Sequence, residues 1–155
     1  MSSIRATEEW TEKLEDAYVD TTNAVKGRAG ELLVIEAFTN WGYSVKDNES
    51  DMEAQKQGKD ILIKKETWSN YYSIDVKANM TKYGAFYVDT TNKGWLFNEQ
   101  KKSNRICHVC VETRWIAWYD RQLMQKYIIE NDDNKGYMMI SPKNGLEFIT
   151  WRKII

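Results

Sequence analysis

Residues 106–111, ICHVCV, are apolar at nearly every position. A strand with one wet face alternates apolar and polar side chains, so a run without alternation belongs to an interior strand covered on both sides. The neighbouring segments supply the covers. Residues 22–41 read as a helix ending at Gly42 and leading into a strand, YSVKD. A polar stretch, NESDMEAQKQGK, precedes two further strands, DILIKK and YYSIDVKANM, and AFYVDT follows the Tyr83-Gly84 turn as the next strand of a meander. NKGWLFNEQKKSN reads as a short helix. After ICHVCV, Asp120 can cap a helix, RQLMQKYIIEN, with Leu123, Met124, Tyr127 and Ile128 in one stripe. GYMMISP and LEFITWRKII close the chain as short strands. The expected architecture is an α/β sandwich, with helices on both faces of a central mixed sheet.

A chain of 155 residues is the size of one compact domain. The expectation is a single domain over residues 1–155, to which residues 1–20 append an amphipathic helix carrying Trp10, Leu14 and Tyr18 on one side. No run approaches the roughly 20 apolar residues that cross a bilayer, and the start lacks a signal-peptide pattern. A cytoplasmic protein with no membrane partner is expected. Cys107 and Cys110 stand three apart, so on a strand they point to opposite faces. They read as buried thiols, because half a zinc site would need a second pair and His108 lies between them.

The net charge of −1 hides an uneven distribution. Residues 1–55 carry 5 basic against 12 acidic side chains, residues 56–105 carry 10 against 5, and residues 106–155 carry 7 against 6. The basic middle also holds Trp68, Tyr71, Tyr72, Tyr83, Phe86, Tyr87 and Trp95. Interleaved basic and aromatic residues suit a phosphate backbone and exposed bases, with Lys82, Lys101 and Lys102 as candidate substrate contacts. A set of solvated lysines on strand edges is the alternative.

Four residues carry the chemistry. In the second helix, a 100° step per residue places Glu31 within about 60° of Ala24, Gly27, Val34, Ile35 and Phe38. A carboxylate aimed at a core costs several kcal/mol unless it is paired or binds a metal, so a buried ion pair is the competing explanation. Asp60 opens DILIKK after Gly58-Lys59. In YYSIDVKANM the two-residue period sends Asp75 and Lys77 to one face and Ile74 and Val76 to the other. If the two strands form an antiparallel pair, Asp60 and Asp75 approach each other, and acids that close repel unless a divalent cation lies between them. Taken alone, Asp75-x-Lys77 is more often a cross-strand ion pair than a catalytic motif.

A helical Glu, then Gly-x-Asp at a strand start, then Asp-x-Lys in an apolar strand resembles the PD-(D/E)XK nuclease superfamily. The likeness runs from Lys26 to about Val111, with KGRAGE and GYSV similar to the resolvase branch, and Lys59 stands where the motif's proline would be. The resemblance implies a restriction endonuclease-like three-layer α/β/α core with a mixed sheet of four or five strands. It implies Asp60, Asp75 and Glu31 as metal ligands, Lys77 as the residue serving the attacking water, and Gln100 as a support for site or substrate. It also implies Mg²⁺, replaceable by Mn²⁺, double-stranded or branched DNA, and a homodimer or higher oligomer. The expected activity is site-specific DNA cleavage of restriction or homing type. The alternatives are a Holliday junction resolvase, a catalytically silent nucleic-acid-binding domain, and an interaction domain using the N-terminal helix. No phosphate loop of NTPase type occurs, and a histidine-metal nuclease finger fits worse, since the lone His108 supplies neither its pair of ligands nor its general base.

Overall fold

The computed structural model describes residues 25–155, so the expected helix at the N-terminus lies outside the described residues. A helix, α1, covers residues 25–40, and its C-terminus is closed by Gly42 at φ 91° with the Tyr43 amide donating to Phe38 O. Then come β1 (Ser44–Asp47), a short α2 (Met52–Lys56), β2 (Ile61–Lys64), β3 (Tyr72–Lys77), β4 (Phe86–Asp89), β5 (Arg105–Val109), β6 (Trp115–Asp120), α3 (Arg121–Asn131), β7 (Tyr137–Ile140) and β8 (Thr150–Lys153).

Six strands make one sheet in the order β1-β2-β3-β5-β6-β8, mixed because β3 and β5 run parallel and the other pairs antiparallel. The sheet is thus larger than the four or five strands expected. Part of the excess is β6, whose sequence WIAWYD is strand-like but stands directly before the Asp120 cap. The meander also stops at β3. β4 leaves the main sheet and pairs with β7 in a separate two-stranded ribbon. This frees the edge of β3 for β5, whose apolar residues are fully buried on both sides as expected of an interior strand. NKGWLFNEQKKSN forms consecutive turns instead of a helix.

Two apolar clusters fill the two faces of the sheet. Val34, Ala37 and Phe38 of α1 pack on Ile61, Ile63, Ile74, Val76, Cys107 and Ile116. On the other face Met124 and Ile128 of α3 and Phe86, Val88 and Ile140 of the ribbon pack on Ile106, Ala117 and Tyr119. Cys107 belongs to the first cluster and Cys110 to the second, so the two thiols do face apart and share no site. α1 lies close to the sheet because Gly30 has no side chain: a Cβ there would stand 2.8 Å from Val109 Cγ1 and 3.0 Å from Ala78 Cβ.

Candidate active site

Register decides where the acids meet. Ile61 of β2 is paired with Ile74 of β3, so Asp60 and Asp75 come together at the end of this antiparallel pair. The Asp60 amide donates to Ile74 O, and Asp60 O accepts from Asn48, whose side-chain amide also ties down Lys59 O. Asp60 Oδ2 accepts from the Val76 amide at 2.8 Å, which leaves its other oxygen free of that tether. Asp75 is 2% exposed. Its Oδ1 lies 3.2 Å from Lys77 Nζ, while Oδ2 is buried without a hydrogen-bond partner among the described residues. Burial, and after it the repulsion of Asp60, push the Asp75 carboxyl up to about 7, although Lys77 pulls the other way.

Gly58 explains how a backbone fits against this acid. It sits in the left-handed region at φ 73°, and a Cβ on it would come within 3.1 Å of Asp75 Oδ2. An unpaired buried carboxylate oxygen, a second carboxylate beside it and a glycine in front of it fit a hard divalent cation. Mg²⁺ commonly takes only one or two carboxylates and keeps several waters.

The two-residue period of β3 is as expected. Asp75 is registered with Ile106 and, through it, Tyr119, on the face covered by α3 and the ribbon. Glu31 comes from α1 on the opposite face. It lies roughly 75° around the helix from the middle of the buried residues Gly30, Val34, Ala37 and Phe38, so it sits at the margin of the apolar face and not at its centre. Arg28 binds it at 2.9 Å and also holds Asp47 at 2.7 Å and Glu49 at 2.9 Å. Burial raises the Glu31 carboxyl, Arg28 lowers it, and Asp60 raises it further, so the acid lies within the field of Asp60. Among the described residues no three His, Cys, Asp or Glu side chains converge on one point. The structure therefore assembles Asp60, Asp75 and Lys77 and leaves Glu31 one ion pair away.

His108 is a buried side chain whose place the sequence did not reveal. Asn79 Nδ2 donates to Tyr87 O, so its Oδ1 faces His108 Nδ1 at 2.6 Å and must accept a hydrogen bond from the Nδ1–H. His108 Nε2 then accepts from the Tyr119 hydroxyl at 2.6 Å. Burial, aided by Lys77, holds the imidazole well below its ordinary value. A neutral ring with both nitrogens used, stacked on Phe86 at 3.8 Å, is a structural element beneath Lys77.

The aromatic and basic residues of the middle segment divide into two groups. Trp68 and Tyr72 meet edge to face, and the Arg105 guanidinium lies over both, 4.8 Å from the Tyr72 ring and 5.5 Å from that of Trp68. Asn79 and Asn98 serve internal bonds. Lys82, Gln100 and Lys102 are exposed, and Lys101 is half-buried with its Nζ donating to Lys56 O at 3.0 Å. The segment from Trp95 to Lys102 is gathered beside the acids: the Trp95 ring centre lies 5.5 Å from Lys77 Nζ, and the Lys102 amide donates to Gln57 O. Arg121 was the residue missed. Its guanidinium fastens this segment, and only its place at the first position of a capped helix made it visible in the sequence.

The sequence matches no family model and no curated protein. The fold is shared with a solved bacterial homing endonuclease, I-Ssp6803I, at a TM-score of 0.51 and 12% identity, over 76% of this chain and 74% of that one.

Proposed function

We propose that this protein is a divalent-metal-dependent endonuclease of PD-(D/E)XK type that hydrolyses phosphodiester bonds in double-stranded DNA at specific sites. The observation that carries this reading is the abutting pair Asp60 and Asp75, with one Asp75 oxygen on Lys77 and the other buried and unpaired. The shared fold with a homing endonuclease supports the site-specific variant over junction resolution.

Asp60 and Asp75 would hold Mg²⁺, with Mn²⁺ as a substitute, and Glu31 would join them if it left Arg28. Bound there, the ion would polarise the phosphoryl oxygen and ease deprotonation of a water. Lys77 sets its Nζ beside Asp75 Oδ1, 27% exposed, where it can orient the incoming water and offset charge gathering on the phosphate. Lys82, Lys101, Lys102 and Gln100 would contact the backbone or bases flanking the scissile bond. One such site per chain cuts one strand at a time, so concerted cleavage of both strands would use a homodimer or a larger homo-oligomer.

The test is incubation of the full chain with linear, supercoiled and four-way-junction DNA in Mg²⁺ or Mn²⁺, with Asp75→Ala as control. Defined fragments from linear DNA, lost in the variant, are expected. Cutting confined to junctions would favour a resolvase. If the intact protein bound DNA and cut no substrate, the enzymatic reading would be wrong.

A further inference from the structure

Arg121 begins α3, and its side chain is buried although it forms no salt bridge among the described residues. A cation at this position is opposed twice, by desolvation and by the positive end of the helix. Its hydrogen bonds go to carbonyls alone, although the charge of Asp75 also favours the cation. The guanidinium donates to Leu96 O at 2.8 and 3.1 Å, to Asn98 O at 3.2 Å, to Trp95 O at 3.4 Å, and to Lys101 O. Residues 95–101 have no helix or strand to hold them, and a rigid fork of five N–H donors can gather several carbonyls where a lysine ammonium cannot.

Both ends of the gathered segment touch the acids' surroundings. Trp95 lies over Lys77, and the Lys101 side chain would be 3.4 Å from a Cβ on Gly58, the residue in front of Asp75. Lys101 Nζ and the Lys102 amide bond the carbonyls of Lys56 and Gln57, in the turn leading to Asp60. We infer that Arg121 is a positioning residue: it fixes residues 95–101 as one wall of the site, setting Trp95 over Lys77 and Lys101 and Lys102 beside the Asp60–Asp75 pair. The inference rests on the nuclease reading for its consequence in catalysis, and on geometry alone for the placement of the wall.

Wild type, Arg121→Lys, Arg121→Met and, as a stability control, Ile128→Ala are compared by amide hydrogen exchange, thermal unfolding and DNA cleavage kinetics. Arg121→Lys is expected to speed exchange at the Lys102 amide about tenfold while β5 amides hold. Its kcat is expected to fall roughly 100-fold, since small misplacements of catalytic groups cost that much, with KM changed by no more than about threefold. Ile128→Ala is expected to lower the melting temperature and keep kcat. Should Arg121→Met fail to fold, Arg121→Lys still decides. Wild-type exchange at Lys102 or wild-type kcat in Arg121→Lys, or an equal loss of kcat in Ile128→Ala, overturns the inference. If wild type cuts no DNA, the nuclease reading falls while exchange at Lys102 still decides whether Arg121 builds the wall.

Discussion

Replacing Asp75 with asparagine is expected to stabilise the metal-free protein at alkaline pH while removing its chemistry. The carboxyl of Asp75 is raised from an ordinary 3.8 to about 7, first by burial and then by Asp60. The folded chain thus keeps a proton that the unfolded chain releases, so folding loses stability as pH rises from about 4 to about 7. Each pH unit over which the two states differ by one proton is worth about 1.4 kcal/mol, giving roughly 4 kcal/mol over the whole range. Of that, roughly 2–3 kcal/mol falls between pH 5 and pH 8. Asparagine keeps the shape and carries no charge at any of these pH values. Urea unfolding with a chelator present, of wild type and Asp75→Asn at pH 5 and pH 8, isolates the effect because titrating groups that do not interact with Asp75 cancel in the difference. The variant should gain on wild type by that amount at pH 8, and Mg²⁺ or Mn²⁺ should close the gap by stabilising wild type alone. A difference independent of pH, or a variant less stable than wild type at pH 8, would refute the placement of a buried carboxylate with one oxygen unpaired.

Lys77→Met should lower cleavage by roughly 100- to 1000-fold in single-turnover assays, the usual loss when a charge-stabilising group is removed, with DNA affinity little altered. Glu31→Gln should weaken Mn²⁺ binding and cut the rate about tenfold, as loss of a ligand or of its orienting partner commonly does; unchanged calorimetry would leave Glu31 as a partner of Arg28 only. Gly30→Ala should cost about 1–2 kcal/mol in thermal unfolding, because the added methyl collides with Val109 and Ala78 inside a closed core. A neutral result would mean that α1 can lift from the sheet without loss.

The β3 strand was readable in full because a period of two needs nothing beyond the strand itself. Ser73, Asp75 and Lys77 fall on one face and Ile74 and Val76 on the other wherever the strand is placed. The α3 cap was equally local, with Asp120 accepting from the amides of Gln122 and Leu123. Partner choice was not local. AFYVDT has the composition of a next strand in a meander, yet β4 pairs with β7, fifty residues on, and the parallel β5 takes its expected place. Nothing within six residues distinguishes those outcomes, since strand pairing is settled by which apolar faces find cover.

The active-site reading divides along the same line. That Asp75 stands beside Lys77, and that the two cysteines face apart, follows from backbone geometry and so from sequence. That Asp75 is stripped of water, that Asp60 reaches it, that Arg28 holds Glu31 at the helix margin and that Arg121 gathers the carbonyls of residues 95–101 required the packed chain. Those features depend on distances between residues far apart in the chain, and periodicity carries no information about such distances.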